Sequence, residues 1–385
     1  MKPIILAVNE HYEPAKKAGG AHLALRHLTD WLHDDFDFYI LTTDHDLGDF
    51  IPYPDIQHGT WYSVGKAQVR YLSHQERTPL ALAQIINSIP HDVLYLNSVF
   101  ASLSVKIITA KRLNRIHHKP TLITPMGEFY PGAIGQKHLK KQVYLILSRI
   151  TKMYQSALWH ATTTEEAQQI QKHRQVPSKR VHIAPLLPPR VQQLPTPSPK
   201  KADELKMVFL SRISPKKNLD GALRLLMDVK HPVKFDIYGP IEDSAYWQIC
   251  QDVMKQLPVH IQARYCGAIT QGQIELFSQY HLFLFPTHGE NFAYVIQESL
   301  LGGCLPLIST NTPWRGLADK KAGWDVSLEN PDEFIQIMKR VYGMDDNTFR
   351  QWSQSAQDYG LAVANDSVRI QASRDLFHFA LKGTS

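Results

Sequence analysis

The sequence predicts an α/β protein built from two domains of similar size. Three observations carry this. Short apolar runs alternate with helical patterns along the chain, the rhythm of parallel β–α units. The segment "IAPLLPPRVQQLPTPSPKK", 183–201, holds six prolines, a density that neither a helix nor a central strand tolerates. After it the same rhythm starts again. A length of 385 residues also favours two domains over one.

In order, Ile4 to Val8 reads as the first strand. A glycine-containing loop and a helix over about 21–32 follow. Phe36 to Leu41, Val93 to Leu96 and Thr121 to Thr124 are strand-like. After the proline-rich stretch come a strand in "KMVFLS", a helix in "KNLDGALRLLMDV" and strands in "VKFDIYG" and "HLFLFP". The last helical pattern covers about 366–381. The expected division is an N-terminal domain 1–190, a Pro-rich linker 191–203, a C-terminal domain 204–363 and a terminal helix within 364–385 that packs back on the N-terminal domain.

The composition is ordinary for a globular chain, with 43% hydrophobic and 20% charged residues. A net charge of +6 and a pI near 9.0 point to an anionic partner: a nucleotide, a phospholipid surface or nucleic acid. Nucleic acid draws a denser basic stripe on a recognisable module, and none is visible. Cys250, Cys266 and Cys304 fit no zinc spacing and are too few for a disulfide scaffold, so a reducing compartment is expected. The opening "MKPIILAVNEH" reads as a strand rather than a signal peptide. No apolar run approaches the ~20 residues of a spanning helix. The expectation is a cytoplasmic protein, peripheral on the inner face of the cell membrane.

One helix, "KHLKKQVYLILSRITKMY", supports the membrane part. Leu139, Val143, Ile146, Ile150 and Met153 share a face at helical spacing, with Lys137, Lys141 and Lys152 opposite. Two readings stand: a core helix with a solvated basic face, or a basic face over 137–152 that docks on an anionic membrane. Lys111, Arg112, Arg115 and Lys119 lie close by in sequence and add to the second.

Several motifs bear chemistry. In "KKAGGAHLAL", Gly19 and Gly20 open a helix, where bare backbone N–H groups suit a phosphate; a Gly pair before a helix is also a common turn. Asp44-x-Asp46 follows a strand and reads either as a metal-holding pair or as a polar turn. In "FLSRISPKKNLDGALRLL", Arg212 follows a strand, and Lys216 and Lys217 open the next helix. Cations are disfavoured at that positive end, which makes sense if an anion sits among them. "TTTEE" matches a capping box from Thr163 to Glu166 and needs no other role. The 19 histidines show no metalloprotease arrangement.

"HGENFAYVIQESLLGG", 288–303, places Glu290 in a loop and Glu298 in a helix starting near 291–293 and stopped by Gly302 and Gly303. In a wholly helical span the two carboxylates would lie ~12 Å apart along the axis. That exceeds the ~5–9.5 Å of hydrolytic carboxylate pairs and suits two contacts to one extended ligand.

The order of Gly-Gly loop, "SRISPKKN", "HGENFAYVIQESLLGG" and "PLISTNTPW" resembles the retaining glycosyltransferases of family 4, whose signature is Glu-x7-Glu. The likeness is strong over about 204–315. In the N-terminal half, "ITPMGEFYPGA" and "WHATTTEEAQQI" look like a subgroup that builds bacterial surface polysaccharides. The resemblance implies the GT-B fold, two Rossmann-like doubly wound domains facing a central cleft. The N-terminal domain would be the acceptor side and the C-terminal domain would bind the nucleotide sugar. It also implies roles. Gly19 and Gly20 would lie against the donor diphosphate; Arg212 and Lys217 would neutralise it, with Lys216 where the family varies. Glu290 would face the donor sugar. Asn291, Phe292, Ala293 and Tyr294 would meet sugar or phosphate, and Glu298 would hold the ribose. Gly239 and the "YCGAI" turn would border the nucleotide pocket. Many relatives carry a histidine where this chain has Met126, which leaves Glu128 as an acceptor-side substitute.

The expected activity is therefore a retaining transfer from a nucleotide diphosphate sugar to a growing, lipid-linked glycan in surface polysaccharide or lipopolysaccharide assembly, with no metal and no cofactor. The alternatives are a metal-dependent transferase using Asp44 and Asp46, and a non-catalytic sugar- or nucleotide-binding component of an assembly complex.

Overall fold

The computed structural model describes residues 1–17, 20–130, 138–191, 193–269 and 271–383. They form two compact units, Met1–Arg190 with Asp366–Ser385, and Val191–Asn365. Gly19 and Lys137 lie outside the described residues.

The first unit is built on β1 (Ile4–Val8), β2 (Asp37–Thr43), β3 (Trp61–Val64), β4 (Ala67–Leu72), β5 (Val93–Asn97), β6 (Thr121–Thr124), β7 (Leu158–Ala161) and β8 (Val181–Ile183). Their order in the sheet is β3-β4-β2-β1-β5-β6-β7-β8, parallel throughout except for β3 against β4. Ile5 to Val8 are fully buried, as expected of a strand covered on both faces by crossover helices. The terminal helix Ser367–Lys382 belongs to this unit. Its Phe377 packs on Phe36, Phe38 and Tyr95 at ring distances of 5.2, 5.9 and 5.5 Å, and Arg374 holds Asp35 at 2.7 Å.

In the second unit β9 (Lys206–Leu210), β10 (Val233–Tyr238), β11 (Ile261–Tyr265), β12 (Leu282–Phe285), β13 (Leu305–Ser309) and β14 (Trp324–Val326) form one parallel sheet in the order β11-β10-β9-β12-β13-β14. The first three strands run out to one side and the next three to the other. This is the doubly wound order, with a topological switch point between β9 and β12. Phe209, Phe235, Phe283 and Phe285 fill the core beneath it.

From Val191 on, the proline-rich segment lies along the second unit. Ser198 N–H donates to the Ser278 carbonyl (2.7 Å), Lys200 N–H to Asp346 (2.8 Å) and the Gln357 amide to the Pro195 carbonyl (2.9 Å). Proline removes ladder donors, but the remaining backbone groups still find partners on a neighbouring surface.

The helix His138–Ile150 is turned the other way from a core helix. Val143, Ile146, Leu147 and Ile150 are exposed (47, 52, 54 and 72%), whereas Leu145 and Ser148 are buried and Tyr144 is half-buried. The helix is apolar on more than one face, so periodicity alone does not choose which packs. Polar partners choose: the Tyr144 and Tyr154 hydroxyls meet at 2.5 Å and Arg174 donates to Ser148 Oγ at 3.0 Å. Lys141, expected opposite the core, sits over the Phe100 ring at 5.1 Å. Among the described residues no helix is long and apolar enough to cross a membrane.

Candidate functional site

The loops leaving β9, β12 and β13 converge at the switch point of the second unit. After β9 the chain passes Arg212, makes a short 3-10 turn over Pro215–Lys217 and turns at Asn218, whose φ of 58° is left-handed. Helix Leu219–Met227 follows. The Asn218 side chain donates to the Pro286 carbonyl (2.8 Å), and His288 N–H donates to the Lys216 carbonyl (3.0 Å), which lies 3.1 Å from Thr287 Oγ1. Glu290 N–H donates to the Asn311 carbonyl (3.0 Å), and the Trp314 indole to the Phe292 carbonyl (2.6 Å). The three loops are thus laced by hydrogen bonds that fix their side chains before any ligand arrives.

Within this frame Lys217 Nζ lies 2.6 Å from Glu290 Oε1, which also accepts from Thr287 Oγ1 at 3.0 Å. Burial pulls the Lys217 ammonium below the ordinary lysine range. The Glu290 carboxylate opposes that fall, while Arg212 and Lys216 add to it. Glu290 Oε2 has no hydrogen bond among the described residues. Arg212 is turned to Glu242 (2.6 Å), a partner the sequence reading did not single out. Its motif signal was faint: an acid two residues after "YGP".

The helix that carries the second glutamate spans Tyr294–Leu301, later than the expected start, because Ala293 adopts a left-handed φ of 62° and the residues before it form the loop. Glu298 is half-buried and makes no side-chain hydrogen bond or ion pair among the described residues. Desolvation by the surrounding protein pushes its carboxyl up to about 7. A carboxylate with no partner among the described residues is poised to accept hydroxyl hydrogen bonds. Phe292 packs on Tyr294 and Trp314 at 4.9 and 5.5 Å, an aromatic wall beside the loop.

Gly239 has a structural reason for being glycine. Its φ is 142°, and a Cβ there would sit 1.8 Å from the Ser211 carbonyl oxygen. Only glycine lets the ends of β9 and β10 approach so closely. Nearby, Cys266 N–H pairs with the Ile237 carbonyl and the Tyr265 hydroxyl donates to the Gly239 carbonyl (both 2.8 Å). Cys250 and Cys304 are buried free thiols and Cys266 is partly exposed.

In the first unit Gly20 begins the helix Gly20–Leu32. Asp46 braces the chain just ahead of it: its carboxylate accepts from Lys16 N–H (2.6 Å), Lys17 N–H (3.1 Å) and Leu47 N–H (2.7 Å). Burial works against ionisation there, yet these amides hold Asp46 below the usual carboxylate range. Asp44 meets His45 (2.8 Å), His58 (3.0 Å) and Arg77 (3.6 Å). Both carboxylates are occupied by the protein's own donors. Among the described residues no group of three or more His, Cys, Asp or Glu is placed to hold a metal.

Glu128 is likewise engaged, accepting from Ser98 Oγ (2.5 Å) and Val99 N–H (2.6 Å) ahead of helix Ser102–Arg112, and burial raises its carboxyl. Thr163 Oγ1 caps the next helix at Glu166 N–H (3.1 Å). Glu166 accepts from Thr162 N–H (2.7 Å) and from Gly127 N–H, so the capping pair also anchors the turn at Met126 and Gly127, both at positive φ.

Residues 191–359, nearly all of the second unit, match the family model "Glycosyl transferases group 1". No curated protein gives a match. Solved structures match over the whole chain. HepE of Anabaena, determined with UDP and glucose, is 14% identical, covers 98% of this chain and 99% of its own, and superposes with a TM-score of 0.69. Sucrose-phosphate synthase of Thermosynechococcus elongatus is 14% identical over 98% of each chain, with a TM-score of 0.70. WaaG, a glycosyltransferase involved in lipopolysaccharide biosynthesis, is 12% identical, covers 97 and 99%, and gives 0.63. The fold is thus of the GT-B type, with two Rossmann-like parallel-sheet units in one chain, and the second unit is the part that matches the glycosyl transferases group 1 model.

Proposed function

We propose that the protein is a retaining, metal-independent glycosyltransferase of family 4. It takes a sugar from a nucleotide diphosphate donor and adds it to a growing, lipid-linked glycan of a surface polysaccharide or lipopolysaccharide. The observation that carries this reading is the Lys217–Glu290 pair at the switch point of a doubly wound sheet, with Glu298, unpaired among the described residues, on the helix that follows. Two similar structures were determined with UDP-sugars, HepE with UDP-glucose and the trehalose-6-phosphate enzyme of E. coli with UDP-2-fluoro glucose, which supports a donor of that class.

In this reading Glu298 accepts the ribose hydroxyls. Glu290 receives a sugar hydroxyl on Oε2 while Oε1 stays with Lys217 and Thr287. Cleavage of the sugar–phosphate bond leaves negative charge on the diphosphate. Lys217, Arg212 and the positive end of helix Tyr294–Leu301 stabilise that charge, as fixed cations and dipoles do in a water-poor site. The acceptor hydroxyl attacks from the leaving-group face and passes its proton to the departing diphosphate. Asp46 serves the loop ahead of Gly20 and Asp44 is engaged by His45, His58 and Arg77, so in this reading neither holds a metal.

Donor turnover with EDTA present, followed by NMR of the first-formed anomer, tests the proposal. Retention of configuration with unchanged rate is expected. Inversion, or loss of turnover restored by manganese, would rule it out.

A further inference from the structure

Charge is unevenly distributed along the chain. Residues 93–164 carry ten Lys or Arg and a single acid, Glu128, for a formal charge of +9, against +6 for the whole protein. That acid is turned inward onto Ser98 and Val99. The outward stripe of helix His138–Ile150 lies in this segment: Val143, Ile146, Leu147 and Ile150 fall within about a 100° arc at 100° per residue. Arg112 donates to the Thr151 carbonyl (2.8 Å), so the turn bearing the exposed Leu113 borders the end of the stripe. Lys140, Lys152, Arg112 and Arg115 are exposed around it.

We infer that this face docks the first unit on an anionic lipid bilayer, with Val143, Ile146, Leu147 and Ile150 entering the apolar layer and the flanking cations meeting lipid phosphates. The apolar side of the helix, not the lysine side, is the one that inserts. Exposed aliphatics ringed by cations, with no exposed acid in 93–164, match such a surface in both polarity and charge. A second copy of the chain is disfavoured, because two surfaces of the same sign would meet. The inference rests on the first unit alone and is independent of the activity proposed for the second.

Co-sedimentation of the full chain with vesicles tests it, comparing phosphatidylcholine alone with phosphatidylcholine plus phosphatidylglycerol. Binding to the anionic vesicles is expected to be tighter by about tenfold or more. The double variant Ile146→Ser/Ile150→Ser removes exposed groups, so its thermal midpoint should hold while its binding falls by about tenfold or more. Lys140→Gln/Lys152→Gln should weaken binding to anionic vesicles and leave the weak binding to neutral ones unchanged. Equal binding to both lipids, or a serine variant that binds like the parent, would overturn the inference. So would a dimer that the serine changes dissolve with no vesicle binding at all.

Discussion

Lys217 and Glu290 form an ion pair at 2.6 Å in which the two side chains are only 11 and 10% exposed. They come from the loops after β9 and β12, so the pair closes the switch point from both sides. A donor diphosphate beside Lys217 would share a cation that already has one carboxylate.

Glu290→Gln leaves the ammonium buried without its counter-charge. The variant is expected to lose about 3 kcal/mol of unfolding free energy in urea titrations. A nucleotide sugar that brings its diphosphate to Lys217 supplies the missing charge, so it should stabilise this variant more than the parent. Equal stabilisation of both would place the diphosphate elsewhere.

Glu298 predicts a pH dependence. Its carboxyl lies near 7 in the folded chain against 4.5 ordinarily. The folded state therefore holds the proton longer than the unfolded state. The resulting destabilisation is absent below the unfolded pKa, grows between the two values and is complete above the folded one. Glu298→Gln removes it, so the variant should match the parent in acid and exceed it by about 1–3 kcal/mol at alkaline pH, read from thermal unfolding. Accepting ribose hydroxyls needs the charged form. Affinity for a nucleotide sugar, whose diphosphate diester does not titrate in this range, should tighten as pH rises through about 7 in the parent and stay flat in the variant.

Gly239→Ala is expected to be severe for reasons of packing alone. The new Cβ would meet the Ser211 carbonyl at 1.8 Å with φ at 142°, and a loss of at least about 3 kcal/mol should follow. A soluble, fully stable alanine variant would contradict the close approach of the two strand ends.

Asp46→Ala releases the amides of Lys16, Lys17 and Leu47. It should cost about 1–3 kcal/mol of stability. Calcium, magnesium and manganese should leave the melting temperature of the parent unchanged. A saturable metal-induced shift abolished by Asp44→Ala would restore the metal-holding alternative.

Much of this was legible in the chain. The repeated β–α rhythm is a local property, since each buried parallel strand must be a short apolar run, and it announces two such units. Lys217 stood out as a cation at a helix start, where the dipole disfavours it, and Glu290 as an acid in a loop between Gly289 and Asn291; Glu298, an ordinary helix glutamate, stood out only through the resemblance to family 4. What stayed hidden depends on contacts distant in sequence. Nothing local tells that Thr287 shares Glu290 with Lys217, or that Arg212 turns to Glu242. Asp44 and Asp46 read as a metal pair or a turn until their partners, at His58, Arg77 and the amides of Lys16 and Lys17, are seen. The helix His138–Ile150 carries apolar residues on two faces, and Arg174 and Tyr154, outside it, select the one that packs.

The central claim is that the second unit grips a nucleotide diphosphate sugar through Lys217, Glu290 and Glu298. Calorimetric titration of the full chain with UDP-, GDP- and ADP-sugars, beside Lys217→Ala and Glu298→Ala, tests it most directly. Saturable binding of at least one nucleotide sugar is expected, weakened by about tenfold or more in each variant, a loss of at least about 1.4 kcal/mol. Absence of binding across the panel, or binding that both variants retain undiminished, would contradict it.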